Sequence, residues 1–436
     1  MARLLIDGYN LGLEKGTGVA TYARNLSYEI GHLGHRVDVL YGNRMSTTRD
    51  DLLSEIYFFD GGGEERIRIL EILEQIQQAI HGPLTFRAKP VPVTGRVITR
   101  TFASRLPHYD RLFNSPDLFA RAQSAFKLWQ RPSTIRLQEK PDLAHWTYPI
   151  PLWVKGRPNI YTLHDVVPLR LPYTTLDHKR RYLRLLQQLD KKAAHFVTVS
   201  ENSKRDLVEL VGIAPERITN TYQSVSIPEK YRNKPEDQVA REVEGLTGID
   251  YKGYFLFWGS LEPKKNIGRM IEAYLSSQID TPLVMVGAQA WKSEQELKLL
   301  GDTQTLHGSI ERRRGARKRV VQLPYASFPL LVSLIRGARA ALFPSLYEGF
   351  GLPALEAMLL GTPVICSNTS SLPEVTGEAA YAVDPYDTAG LTQAIRAIDA
   401  DEAMRQEYAK RGLAQAARFS PDAYRAQLKA VYDRYL

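Results

Sequence analysis

Pro344-Ser345-Leu346-Tyr347-Glu348-Gly349-Phe350-Gly351-Leu352-Pro353-Ala354-Leu355-Glu356-Ala357 follows directly on the apolar run 340–343, and its reading decides the fold. The run is a strand. Gly349 and Gly351 then allow a close backbone approach, and Pro353 falls near the first turn of a helix, where its missing N–H costs nothing. Strand, glycine turn and helix in that order form the repeating unit of a parallel α/β sheet. The amides around Phe350, Gly351 and Leu352, with the helix dipole behind them, offer an anion site that needs no charged side chain. Glu348 stands ahead of this helix and Glu356 just over one turn inside it. Carboxylates accept from hydroxyl pairs, so two of them flanking a diphosphate site suit a ligand with diols at both ends, such as a nucleotide sugar. Either glutamate alone reads as a solvated side chain; the whole segment behind a strand reads as a ligand site.

The same alternation continues outward. Strands are expected at 254–258, 283–286, 319–323, 340–343, 363–366 and 381–383, with helices between them and a helical tail over 387–436. A second series begins at the N-terminus: strand 3–6 ending at Asp7, a glycine loop (Gly8, Gly12, Gly16, Gly18), helix 19–33 and strand 36–40. It resumes, after a long irregular middle, with strand 159–163, helix 176–194, strand 196–199, helix 201–211 and strand 217–221. The polar stretch 229–252 reads as a linker. The expected organisation is therefore residues 1–228, linker 229–252, residues 253–418, and a last helix 419–436 that packs back on the N-terminal domain. Two doubly wound domains collect ligands at the carboxyl ends of their strands.

Composition narrows the function classes. With 436 residues, 44% hydrophobic and 24% charged, the chain is long enough for two or three domains with proper cores, which excludes an isolated motif or wholesale disorder. Lys and Arg outnumber Asp and Glu by 57 to 48, a net charge of +9 that suggests an anionic partner. The single cysteine, Cys366, lies in an apolar run and reads as a small buried residue. The opening Met1–Ile6 run reaches Asp7 before an apolar core of signal-peptide length forms, and the weakly polar stretch 321–335 falls short of a bilayer span. The expectation is a cytoplasmic protein.

At the 344–357 segment the chain resembles the GT4 family of retaining GT-B glycosyltransferases. That family's hallmark is two glutamates separated by seven residues, the spacing of Glu348 and Glu356. Other family-like stretches fall in the same order: Gly16-Thr17-Gly18, Leu163-His164-Asp165, Thr198-Val199-Ser200, Gly259-Ser260-Leu261-Glu262-Pro263-Lys264-Lys265-Asn266 and Ser371-Leu372-Pro373-Glu374-Val375. The resemblance is strongest in the C-terminal half and weakest over 44–140. It implies two Rossmann-like domains facing across a cleft, with the nucleotide-sugar donor on the C-terminal one and the acceptor on the N-terminal one. It places Glu348 at the sugar hydroxyls, Glu356 at the ribose, Lys264 and Lys265 at the diphosphate, the 350–352 amides at phosphate or sugar, Gly18 facing the diphosphate and His164 beside the donor sugar. Glu348, His164 and Lys265 would be the catalytic set. Many relatives carry an arginine soon after the loop glycine; here Ser260 stands there.

The resemblance also implies no metal and no cofactor beyond the nucleotide-sugar co-substrate. Two ammonium groups can neutralise a departing diphosphate, as a divalent cation does in the other common glycosyltransferase fold. The 261–266 context looks most like bacterial mannosyltransferases of surface-polysaccharide assembly, which points to GDP-mannose ahead of a UDP-hexose such as UDP-glucose. The acceptor would be a growing or lipid-linked glycan of exopolysaccharide, O-antigen or lipopolysaccharide. A sugar-nucleotide epimerase and a non-catalytic sugar-nucleotide-binding scaffold are the rivals.

Several other features carry less. The glycine loop lacks the third glycine of a dinucleotide fingerprint, which disfavours NAD. The adjacent pair His164 and Asp165 cannot point both side chains one way, and a histidine satisfied by a loop carbonyl is the plain alternative. His32, His35, His145, His178 and His195 have no zinc-like spacing. Asp399-Ala400-Asp401 has the form of a metal-binding Asp-x-Asp but lies between two helical stretches and reads as a helix-cap turn. The basic, aromatic-dotted region 87–136 (Arg96, Arg100, Arg105, Arg111, Phe119, Arg121, Phe126, Lys127, Trp129, Arg131) could sit on an anionic membrane face or be an ordinary solvated surface. The cluster Arg312 to Arg319 precedes an apolar strand without any nucleic-acid fold signature, so no nucleic-acid partner is expected.

Overall fold

A computed structural model describes residues 1–12, 18–44, 50–60, 85–98, 106–288 and 320–436. The chain divides into two compact units. The first comprises 1–170, 176–223 and 424–436, and the second 171–175 and 224–423.

In the first unit, the strands in chain order are β1 (Arg3–Asp7), β2 (Arg36–Tyr41), β3 (Thr85–Arg87), β4 (Lys89–Val91), β5 (Arg111–Asn114), β6 (Ser133–Arg136), β7 (Leu143–Trp146), β8 (Leu152–Trp153), β9 (Asn159–Leu163), β10 (His195–Thr198) and β11 (Ile218–Asn220). Among the described residues they form a sheet of order β11-β10-β9-β7-β1-β2-β5-β4 and a small parallel sheet β3-β6-β8. All pairings in the large sheet are parallel except β4 with β5 at its edge. β1 therefore has β2 on one side and β7 on the other, and the direction of winding reverses between β1 and β7. In open α/β sheets such a reversal opens a crevice at the carboxyl strand ends. The strands are almost wholly buried, as parallel strands covered on both faces must be.

In the second unit, β12 (Phe255–Trp258), β13 (Leu283–Val286), β14 (Val320–Leu323), β15 (Ala340–Phe343), β16 (Val364–Ser367) and β17 (Tyr381–Val383) form an all-parallel sheet of order β14-β13-β12-β15-β16-β17. Counted within the unit this is 3-2-1-4-5-6, the doubly wound Rossmann order, with its reversal between β12 and β15. Helices cover it. Ile267–Ser277 buries Ile267, Met270, Ile271 and Tyr274 at helical spacing and packs on Thr388–Ala400, which offers Leu391, Ala394, Ile395 and Ile398 in return.

Three expectations need correction. The stretch 229–252 is not a plain connector: it carries helices Glu229–Arg232 and Glu236–Thr247, the latter laid on helix Phe328–Gly337. Val239 and Val243, one turn apart, supply its fully buried face, and Lys234 fastens it by donating to Glu242 at 2.6 Å and to Ser333 at 3.2 Å. Two valines in a charged stretch are too faint a period to read as a helix. The irregular middle carries β3 to β6 and helix Leu118–Trp129; these short strands are broken by charged and polar residues and lack the continuous apolar run that marks the others. Helix 176–194 is shorter, Lys179–Asp190, capped by His178, while 201–211 is α-helical to Asp206 and then makes one π turn, Leu207–Val211, stopped by Gly212 at φ 81°.

The tail forms helices Thr388–Ala400, Glu402–Ala416 and Pro421–Tyr432. From Tyr424 onward it belongs to the first unit. Tyr432 hydrogen-bonds His145 on β7 at 2.6 Å, and Arg425 donates to Glu29 at 2.6 Å. Among the described residues no helix is long and apolar enough to cross a membrane.

Candidate active site

The second unit's sheet reverses between β12 and β15, and the loops after those two strands carry Lys264, Lys265 and the Glu348 segment. Leu346 N–H donates to Lys264 C=O at 2.8 Å, joining the two loops directly. Lys265 Nζ donates to Glu348 Oε1 at 2.6 Å, and Ser345 Oγ donates to the same oxygen at 2.7 Å. Burial favours the neutral form of the Glu348 carboxyl, but the charges of Lys265 and Lys264 and these hydrogen bonds outweigh it and hold the group below its ordinary range. The result is a buried, ionised carboxylate facing two ammonium groups. Lys264 lies 3.7 Å from Glu262.

The backbone around this pair is firmly held. Asn266 sits in the left-handed region at φ 60° and donates through Nδ2 to Pro344 C=O at 3.0 Å and Pro385 C=O at 2.7 Å. Ser370 Oγ accepts the Glu348 N–H at 2.9 Å, and Ser371 Oγ donates to the carbonyls of Glu348 and Phe350 at 2.9 and 2.8 Å. Gly351, at φ 104°, caps helix Leu352–Leu359, and a Cβ there would come within 2.7 Å of Leu372. Phe350 points its ring into the core against Phe419, so only its main chain can serve a ligand. Leu352 and Pro353, at the start of the helix, are half-buried.

Glu356 is half-buried on that helix and accepts the Trp258 indole N–H at 3.0 Å. Burial pushes its carboxyl up to about 7, the Trp258 hydrogen bond acting against it. The two glutamates thus differ in charge state near neutral pH because one has lysines beside it and the other an indole.

In the first unit, His164 and Asp165 follow β9. As the sequence reading expected, they diverge: Asp165 Oδ1 accepts the Val167 N–H at 3.2 Å, and His164 Nε2 meets Thr147 C=O at 3.0 Å. One ring nitrogen is thus satisfied by a loop carbonyl. A carbonyl only accepts, so Nε2 carries the proton. Burial lowers the affinity of this ring for a second proton, against the Thr147 carbonyl and the Asp165 charge, so the neutral ring presents Nδ1 as an acceptor. Gly18 is exposed at the start of helix Gly18–His32, while Gly16 and Thr17 lie outside the described residues.

Other sequence candidates find structural employment. Asp401 caps helix Glu402–Ala416 by accepting Met404 N–H at 2.9 Å, and Asp399 accepts from Arg339 and Thr281. His195 lies between Tyr435 and Thr219. Cys366 is fully buried, its thiol pushed up to about 12 by burial. In the 87–136 region, Arg111 is paired with Asp38 and Glu139 at 2.8 and 2.7 Å, Arg121 lies over the Phe86 ring, and Phe119 and Phe126 are core residues. Its aromatic interleaving is therefore mostly packing, with Leu128 and Trp129 exposed at the end of helix Leu118–Trp129. Arg100, Arg105 and the 312–319 cluster lie outside the described residues.

Sequence reading missed Ser345, Ser370 and Trp258, whose roles come from long-range contacts. It also missed Asp7 and Thr147, although a carboxylate closing an apolar strand was a usable signal.

Two family models match the chain: Glycosyltransferase Family 4 over residues 16–226 and Glycosyl transferases group 1 over residues 247–415. The chain belongs to the family 4, group 1 glycosyltransferases. It is 33% identical over 267 residues to O-antigen chain mannosyltransferase B of Escherichia coli, the match covering 60% of this chain and 66% of that one. It is 29% identical over 265 residues to the serotype-specific mannosyltransferase WbdA of E. coli, covering 59% of this chain and 31% of WbdA. The matches thus span less than two thirds of these relatives' length. Among solved structures, HepE of Anabaena in complex with UDP and glucose superposes with a TM-score of 0.63 at 15% identity over the whole of both chains, a likeness that establishes the GT-B fold.

Proposed function

We propose that this glycosyltransferase-family chain moves a mannosyl residue from GDP-mannose, with retention at the anomeric carbon and without a metal, onto a growing or lipid-linked glycan of bacterial surface-polysaccharide synthesis. The observation that carries this reading is the buried Lys265–Glu348 pair at the reversal point of a Rossmann sheet, beside the amides that open helix Leu352–Leu359. Mannose rests on the similarity to O-antigen chain mannosyltransferase B and the serotype-specific mannosyltransferase WbdA.

In this reaction the bond between the anomeric carbon and the diphosphate oxygen breaks while the ring acquires oxocarbenium character. Lys264 and Lys265 neutralise the departing diphosphate, the 350–352 amides hold phosphate or sugar, Glu348 accepts from sugar hydroxyls, and Glu356 accepts from the ribose. Electrostatic assistance already in place before the bond breaks needs no reorganisation during the step. The acceptor hydroxyl attacks the face the leaving group vacates, and its proton passes to the leaving phosphate oxygen. His164 offers its Nδ1 to a donor-sugar hydroxyl, and Gly18 faces the diphosphate.

The test is transfer with GDP-mannose, UDP-glucose and ADP-glucose in the presence of EDTA, with the anomeric configuration of the product read by NMR. An α-mannosylated product supports the reading. A product formed only from a UDP sugar, only with added metal, or with inverted configuration overturns the corresponding part of it.

A further inference from the structure

We infer that Asp7 is a positioning residue that sets the orientation and tautomer of His164 through the backbone of Thr147. This rests on the reading above that His164 serves the donor sugar.

Asp7 ends β1 and is completely buried. The sheet reverses its winding between β1 and β7, and Thr147 is the first residue after β7, so the two face each other across the reversal point. Asp7 Oδ2 accepts the Thr147 N–H, while Oδ1 accepts the Thr147 hydroxyl and the Tyr9 N–H, each at 3.2 Å. Two oxygens of one carboxylate thus grip both the amide and the side chain of a single residue. The carbonyl of that same residue receives His164 Nε2–H at 3.0 Å. His164 follows β9, the next strand along. One hydrogen-bonded chain therefore crosses three adjacent strand ends, from Asp7 through Thr147 to His164.

The other side of the imidazole is held as well. Tyr22 and the imidazole form a T-shaped pair at 4.7 Å and 88°, and the Tyr22 hydroxyl bonds Thr162 Oγ1 at 2.8 Å. With Tyr22 packed against the ring and Nε2 tied to the Thr147 carbonyl, the direction in which Nδ1 points follows from where that carbonyl lies.

A carboxylate is needed in this position for a specific reason. All three groups around Asp7 are donors, so both of its oxygens must accept. An asparagine of the same size would turn an NH₂ toward a donor. Among the described residues no ion pair involves Asp7, and burial pushes its carboxyl up to about 6 against the Thr147 and Tyr9 hydrogen bonds. Such a group weakens the fold, and its service is the fixed carbonyl it leaves for His164.

The test uses Asp7→Asn in the full chain, with Thr147→Val as a second variant that removes the hydroxyl donor and keeps the backbone. Nitrogen-15 NMR of the His164 ring, assigned by its loss in His164→Ala, reports the tautomer without any substrate. The wild type is expected to show one neutral Nε2–H form, and Asp7→Asn a mixture with the Nδ1–H form. In kinetics, Asp7→Asn should lower kcat about 10- to 100-fold with the KM for the nucleotide sugar little changed, since small misplacements of a reacting group cost that much. Thr147→Val should move both readouts in the same direction by less. In a His164→Ala background, Asp7→Asn should cost nothing further. A His164 spectrum unchanged in Asp7→Asn, or in Thr147→Val if the first variant does not fold, overturns the proposal, as does an equal loss of kcat with and without His164. If the wild type transfers no sugar, the functional reading fails, yet the NMR comparison still decides whether Asp7 governs His164.

Discussion

The reactivity assigned to the second unit reduces to two carboxylates with opposite tendencies, Glu348 ahead of helix Leu352–Leu359 and Glu356 just over one turn inside it. Lys265 and Lys264 keep Glu348 ionised, while Glu356, with only the Trp258 indole, is half-protonated near pH 7. Accepting two ribose hydroxyls requires the ionised form. Affinity for GDP should therefore fall as pH drops from about 8 to about 6, and the fall should disappear in Glu356→Gln, measured by isothermal titration. The sign for stability is opposite. A carboxyl whose folded value is raised binds protons more tightly folded than unfolded, so its contribution is present at low pH and lost as pH rises through about 7. Glu356→Gln should raise Tm relative to the wild type more at pH 8 than at pH 5; equal shifts would contradict the burial argument. Lys265→Ala leaves Glu348 buried without its closest cation, which costs several kcal/mol when a partner is deleted, about 3 to 5 in buried pairs. Urea unfolding should show a loss of that order, reduced when Glu348→Gln is added.

At the scale of elements, the loops hold their shape through backbone positions that admit no Cβ. A Cβ on Gly287, at φ 152°, would lie 1.9 Å from the Gly259 carbonyl oxygen at the ends of β13 and β12. Gly287→Ala must separate those strand ends and should prevent folding or abolish nucleotide binding, whereas Gly351→Ala meets a movable Leu372 side chain and should cost about 1 to 3 kcal/mol of backbone strain. Circular dichroism melts of the two variants would rank them, and the reverse order would contradict this account. β1, β2, β9, β10, β13 and β15 to β17 read clearly because each is an apolar run closed by a glycine, proline or polar residue. The helix Glu236–Thr247 did not, because its buried face is two valines in a charged stretch, nor did β3 to β6, whose sequences are broken by arginine, lysine, serine or threonine and form no continuous apolar run. In the site, Glu348, Glu356, Lys264, Lys265 and His164 stood in recognisable local patterns. Ser345, Ser370, Trp258 and Thr147 act through partners that only the fold brings near.

Across the molecule, both units use one device: a parallel sheet whose winding reverses, with a buried carboxylate at the strand ends beside the reversal. In the first unit that carboxylate is Asp7, which grips a neighbouring loop, and in the second it is Glu348, paired with Lys265. The C-terminal helix Pro421–Tyr432 completes the first unit by closing a buried series from Tyr432 through His145 and Thr162 to Tyr22, the residue against His164. Burial keeps His145 neutral, pushing it down to about 3, so this series should not titrate in the physiological range. The measurement that tests the central claim most directly is transfer from GDP-mannose by the wild type and by Glu348→Gln, with GDP affinity measured on both. The account predicts retained GDP binding with turnover lowered about 100-fold or more in the variant, the scale seen when a preorganised electrostatic partner of a transition state is removed. Undiminished turnover in Glu348→Gln would contradict it.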